Sequence, residues 1–162
     1  GTLQKTKKML ATLAERVPCT PNISKLCEEL GLTRDLCLKL LYALRRAKLL
    51  TLLSEKANSY KQLSKPEKVL LDNTNLAYAL SSNTDIGTTR ETFFFNQVGA
   101  IHDTKLPKRG DALVDEKYLF EIGGKGKTFN QIRNIPESYI AKDGIEYGHG
   151  NTIPLWMFGF LY

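Results

Sequence analysis

Apolar residues recur at helical spacing in three successive stretches at the start of the chain. Between residues 3 and 17, Leu3, Met9, Leu10, Leu13, Ala14 and Val17 fall on one face of a first helix. Pro18 and Pro21 interrupt the pattern, and Asn22 is placed to cap a second helix with Ile23, Leu26, Cys27 and Leu30 inward. Gly31 is placed to end that helix in a left-handed conformation. Thr33 caps a third helix with Leu36, Cys37, Leu40, Leu41 and Leu44 inward and Arg34, Asp35, Lys39 and Tyr42 outward. A short helix, a tight turn and a longer helix form the helix-turn-helix pattern. Residues 49–53 and 67–71 predict two paired strands, with the polar stretch 54–66 between them as a wing. Residues 1–71 therefore predict a winged-helix domain.

The pattern changes over residues 72–162. Asp72-Asn73-Thr74 caps a helix over 75–80, and residues 87–100 predict a stronger one with Phe94, Phe95, Val98 and Ile101 in its core face. A basic loop, 103–110, leads into two short strands. Alternation places Asp111, Leu113 and Asp115 on one face of the first strand. In the second, Tyr118, Phe120 and Ile122 share a face, while Leu119, Glu121 and Gly123 share the other. A glycine-rich run then opens a helix carrying Phe129, Gln131 and Ile132, and 138–142 predicts another strand. Asp143-Gly144 signals a turn, 145–150 an irregular loop with His149 exposed, and the apolar segment 153–162 is expected to pack over the sheet. The expected class is α/β, with a mixed sheet flanked by helices following the winged helix.

Composition adds limits. With 42% hydrophobic and 25% charged residues, the 162-residue chain has the balance of a soluble globular protein. No apolar run approaches the roughly 20 residues of a membrane helix, and no signal peptide is visible, so no membrane partner is expected. Cys19, Cys27 and Cys37 lack the spacing of a zinc site or disulfide framework and read as reduced core residues of a cytoplasmic protein. The net charge of +6 is uneven: residues 1–66 hold 13 Lys and Arg against 5 Asp and Glu, and the remainder 10 against 12. The nucleic-acid signal therefore lies in the first region, with Arg34, Lys39, Arg45 and Arg46 as candidate DNA contacts. Asp35 among them opposes phosphate, and a merely solvated basic surface is the rival reading.

The unusual residue of the second region is Glu121, an acid inside the apolar run Tyr118-Leu119-Phe120-Glu121-Ile122. Buried, it requires a cationic or metal partner. Asp111, Glu121 and a lysine just beyond can hold a divalent cation beside a phosphodiester. The alternative is a hairpin whose acids face water.

Three runs carry a family resemblance: residues 64–80 (SKPEKVLLDNTNLAYAL), 90–96 (RETFFFN) and 120–125 (FEIGGK). They closely resemble the C-terminal region of a prokaryotic AAA+ ATPase family, and residues 153–162 look like its Bacteroides-type versions. In that family a P-loop ATPase domain precedes a winged helix and a C-terminal domain similar to the PD-(D/E)XK nuclease fold. The resemblance implies a metal role for Glu91, Asp111 and Glu121, with Mg²⁺ or Mn²⁺ as the ion, and an auxiliary role for Gln131. It also implies an ATPase domain of the same protein as partner, so the chain, opening Gly-Thr without Met, is expected to be a piece of a longer protein. No G-x-x-x-x-G-K-[ST] motif occurs, so these residues are not expected to hydrolyse ATP. One departure matters. Gly123 stands where an E-x-K element has lysine, leaving Lys125 as the candidate catalytic lysine. The expectation is that Lys125 turns to solvent or pairs with a surface acid and the nuclease-like centre is degenerate; a regulatory module that docks protein alone is the rival.

Overall fold

The computed structural model describes residues 1–55 and 64–161. They fall into two compact units, Gly1–Thr84 and Asp85–Tyr162.

The first unit begins with α1 (Thr2–Ala14), α2 (Ile23–Leu30) and α3 (Arg34–Arg46). Asn22 and Thr33 cap α2 and α3 by accepting backbone N–H bonds, and Gly31 ends α2 at φ +58°. Strands β1 (Leu50–Leu53) and β2 (Lys68–Leu71) pair antiparallel. Met9, Leu13, Ile23, Leu26, Leu41, Leu50, Val69 and Leu71 form the core between the helices and this ribbon. The expected wing falls largely on residues 56–63 and so lies outside the described residues. Helix α4 (Thr74–Leu80) packs on α1 and β2 and so belongs to this unit, whereas the sequence pattern alone opens the second region at residue 72. Three expectations are corrected. Tyr42 is buried rather than outward, because its hydroxyl donates to the Ser64 carbonyl at 3.0 Å. Leu3, in the first turn of α1, is exposed, and Leu38 is buried instead of remaining outside the stripe. The three cysteines are unpaired. Burial, reinforced by Cys27, pushes the Cys37 thiol up to about 12, which suits an inert core residue.

The second unit is built on a five-stranded sheet in sequence order: β3 (Thr104–Lys105), β4 (Ala112–Val114), β5 (Tyr118–Gly123), β6 (Ser138–Lys142) and β7 (Thr152–Pro154). The first three strands pair antiparallel and the last three parallel, so the sheet is mixed. Helix α5 (Ile86–Val98), capped by Asp85, packs on β5. Phe94, fully buried, meets Phe120 at 5.0 Å and Phe158 at 4.9 Å between ring centres. Ile101, expected in the core, lies beyond the end of α5 and is exposed. The glycine-rich run opens no regular helix. A single 3-10 turn, Phe129–Gln131, is all that forms, ending at Ile132, and Asn134 and Glu137 adopt positive φ on either side of Pro136. The apolar end of the chain divides its roles: Leu155 and Phe158 are buried, while Trp156, Met157 and Phe160 are exposed. Among the described residues no helix is long and apolar enough to cross a membrane.

Candidate active site

Strand β5 has β4 on one side and β6 on the other, and Leu119, Phe120, Glu121 and Ile122 are all buried. The alternation expected of a half-wet hairpin is therefore lost, and Glu121 is 0% exposed. The reading in which the acids face water is corrected on this point: one of them lies wholly inside.

Register explains its neighbour. Leu113 faces Leu119 across the β4–β5 pair, so one step outward along the same face Asp111 stands opposite Glu121. Asp111 is fixed there by three groups. Gly110 precedes it at φ +85°, where a Cβ would meet Leu119, the Phe120 carbonyl and Ile132 at 3.1–3.2 Å. The Asp111 backbone N–H donates to the Phe120 carbonyl at 2.8 Å, and its Oδ2 accepts the Ile122 N–H at 2.7 Å. Asp111 thus continues the strand pairing with its side chain.

The lysine between these acids is Lys127, not Lys125. Its Nζ donates to Asp111 Oδ2 at 3.0 Å and ion-pairs with Glu121 Oε2. The loop explains why. The Lys127 N–H donates to the Gly124 carbonyl at 2.9 Å, closing a tight turn that brings the side chain back along β5. The stem then passes over Gly123, where a Cβ would stand 2.8 Å from Lys127 Cδ. Glycine at the E-x-K lysine position is what admits a lysine from four residues further on. Lys125 is exposed, and its stem lies against Gly144, where a Cβ would meet it at 3.0 Å. The solvent-facing expectation for Lys125 holds, but a lysine is nonetheless present at the carboxylates.

The electrostatics follow from burial. Burial pushes the Glu121 carboxyl up, the Lys127 ammonium opposes that, and the Asp111 charge adds to it. Burial alone would lower Lys127, but the Glu121 and Asp111 carboxylates together hold it above its ordinary range, so it remains cationic. Glu121 Oε1 has no hydrogen-bond donor among the described residues. An anionic oxygen in that position is costly, and a bound proton or a cation relieves that cost.

Arg90, on α5, closes the far side of the loop. Its Nε donates to Asp143 Oδ2 at 2.9 Å, and its guanidinium covers Gly124, where a Cβ would meet Nη1, Nη2 and Cζ at 3.0–3.1 Å. Asp143 in turn donates its backbone N–H to the Gly123 carbonyl at 2.7 Å.

The remaining candidates do not join this cluster in the way expected. Glu91 is half-buried on the inward stripe of α5, with Thr88 and Phe95. Among the described residues no set of three His, Cys, Asp or Glu side chains is placed to hold a metal, so Glu91, Asp111 and Glu121 do not form the expected trio. Gln131 is exposed on its 3-10 turn. On α3, Arg34 and Arg46 are exposed, Arg45 is half-buried, and Lys39 pairs with Asp35 at 2.7 Å. At 100° per residue, Arg34 and Arg45 come within roughly 20° of each other, while Lys39 and Arg46 form a separate stripe about 100–140° away. These four cations do not make one face.

No family model matches the chain, and neither does any curated protein or solved structure.

Proposed function

We propose that the second unit carries a metal-dependent phosphodiesterase centre in a nucleic-acid-associated module, made of Asp111, Glu121 and Lys127. The observation behind this reading is the single ammonium held between two cross-strand carboxylates, one of them fully buried. Mg²⁺ is commonly held by only one or two carboxylates together with water and substrate phosphate, so two acids suffice as the protein's share. Asp111 and Glu121 would hold the ion, Mg²⁺ or Mn²⁺, which when bound supplies positive charge to a phosphoryl oxygen and a more acidic water. Lys127, cationic and fixed by its turn, places a donor where negative charge develops on phosphate. The missing E-x-K lysine predicts degeneracy, and Lys127 supplies that charge from another position. The topology, with antiparallel strands running into parallel ones beside α5, favours a PD-(D/E)XK-like fold for this unit, and the three helices with their two-stranded ribbon favour a winged helix for the first. The chain is read as a part of a AAA+ ATPase-type protein that meets DNA through the basic first unit.

The rival is a protein-docking module. It is favoured by the exposed Tyr147, Trp156, Met157 and Phe160. The deciding experiment incubates the protein with single- and double-stranded DNA and Mg²⁺ or Mn²⁺. Metal-dependent cleavage lost in both Asp111→Asn and Glu121→Gln is the expected result. Wild-type protein that leaves DNA intact under every metal condition overturns the enzymatic reading in favour of docking.

A further inference from the structure

The loop that delivers Lys127 is held from outside by a chain of contacts that begins on another element. Arg90 projects from the first turns of α5, and its guanidinium lies over Gly124, where a Cβ would meet it at 3.0–3.1 Å and push it outward. Asp143, just past the end of β6, takes the Arg90 Nε at 2.9 Å and fixes the plane of the guanidinium. The same Asp143 donates its backbone N–H to the carbonyl of Gly123 at 2.7 Å. Gly124 then accepts the N–H of Lys127, completing the turn. The two glycines are thus gripped on both sides: Gly123 by Asp143 and the Lys127 stem, Gly124 by Arg90 and the Lys127 N–H.

Two adjacent glycines left to themselves are the most mobile dipeptide a chain can contain. A lysine on its long flexible stem adds its own rotamer freedom. Without an external clamp the ammonium would sample many positions, and catalytic groups misplaced by an ångström lose much of their effect. Arginine suits this task better than lysine, because its planar guanidinium serves Asp143 through Nε while the rest of the group lies over Gly124.

We propose that Arg90, held by Asp143, is the positioning residue for Lys127: it sets the Gly123-Gly124 turn and so the place of the ammonium between Asp111 and Glu121. The catalytic meaning of that position rests on the phosphodiesterase reading, but the positioning itself does not.

The test measures the rate at which an amine-acylating reagent modifies Lys127, site by site, by mass spectrometry of the intact folded chain. Lys125 is exposed and serves as the internal reference, while the Lys127 side chain is 24% exposed and ion-paired. In wild-type protein Lys127 should react several-fold more slowly than Lys125. In Arg90→Met and in Asp143→Asn it should approach the Lys125 rate, with Lys125 itself unchanged. Lys127 that stays protected in either variant, folded by circular dichroism, overturns the proposal; if Arg90→Met does not fold, Asp143→Asn alone decides. Where cleavage is measurable, Arg90→Met should lower kcat with KM within about twofold. A raised KM at unchanged kcat would instead make Arg90 a substrate contact and remove the positioning role. Wild-type protein without cleavage, but with the labelling difference intact, sinks the phosphodiesterase reading and leaves the clamp standing.

Discussion

Lys127 lies across Gly123, its Cβ, Cγ and Cδ all within 2.8–3.0 Å of where a Gly123 side chain would begin. The absent side chain and the displaced lysine are two halves of one arrangement. It follows that Gly123→Ala should push the Lys127 stem aside, because the Cβ cannot coexist with the present path. The expected outcome is a fall in cleavage rate of roughly 10- to 100-fold, the scale of a catalytic group moved by an ångström. Gly126→Ala is the control: a Cβ there meets nothing within 4 Å, and its rate should match wild type. Equal rates for both variants would separate the glycine from the lysine.

Burial of Glu121 predicts a pH dependence. Its folded value is raised above the ordinary 4.5, chiefly by burial, so the folded chain holds that proton more tightly than the unfolded one. The stability it contributes is complete below the ordinary value and is lost as pH rises through the folded value. Thermal unfolding between pH 4 and 8 should show wild type losing stability relative to Glu121→Gln as pH rises. A difference that grows in favour of wild type would mean that the Lys127 ion pair outweighs burial.

The first unit holds the positive charge and makes a separate prediction. Binding of the protein to duplex DNA should weaken steeply with salt, because each phosphate contact releases counterions. Arg34→Ala and Arg46→Ala should each lower the slope of log K against log salt by about one. Lys39→Ala should change it less, since Asp35 already neutralises that ammonium. Fluorescence anisotropy at several salt concentrations measures all three. Binding that is insensitive to salt would remove the DNA role of α3.

Much of this architecture is legible in the chain. Asn22, Gly31 and Thr33 mark the ends of α2 and α3 because capping chemistry is local. Glu121 stands out because an acid inside an apolar strand is too costly to bury without a cation beside it, and Asp111 follows from the strand before it. Tyr42 misleads, since helical periodicity places it outward and only the distant Ser64 carbonyl draws it in. The helix after β5 also misleads: Ile132 already leaves helical geometry at φ −116°, and Asn134 and Glu137 turn to positive φ just beyond. Lys127 is the instructive miss. A motif reads lysine at a fixed spacing from Glu121, whereas the space needs only an ammonium, which a glycine turn delivers from further along the chain. Gly123, Gly124 and Gly126 around two lysines are the one local signal of it. Their effect depends on Arg90 and Asp143, which no local pattern connects to them.

The most direct measurement compares Lys127→Ala with Lys125→Ala in Mg²⁺- or Mn²⁺-dependent DNA cleavage. Lys127→Ala removes the ion-pair partner of the buried Glu121, so folding is verified by circular dichroism at the assay temperature. If Lys127 is the working ammonium, wild type and Lys125→Ala cleave at similar rates, and folded Lys127→Ala does not cleave above background. Cleavage that survives in Lys127→Ala but disappears in Lys125→Ala would contradict that assignment.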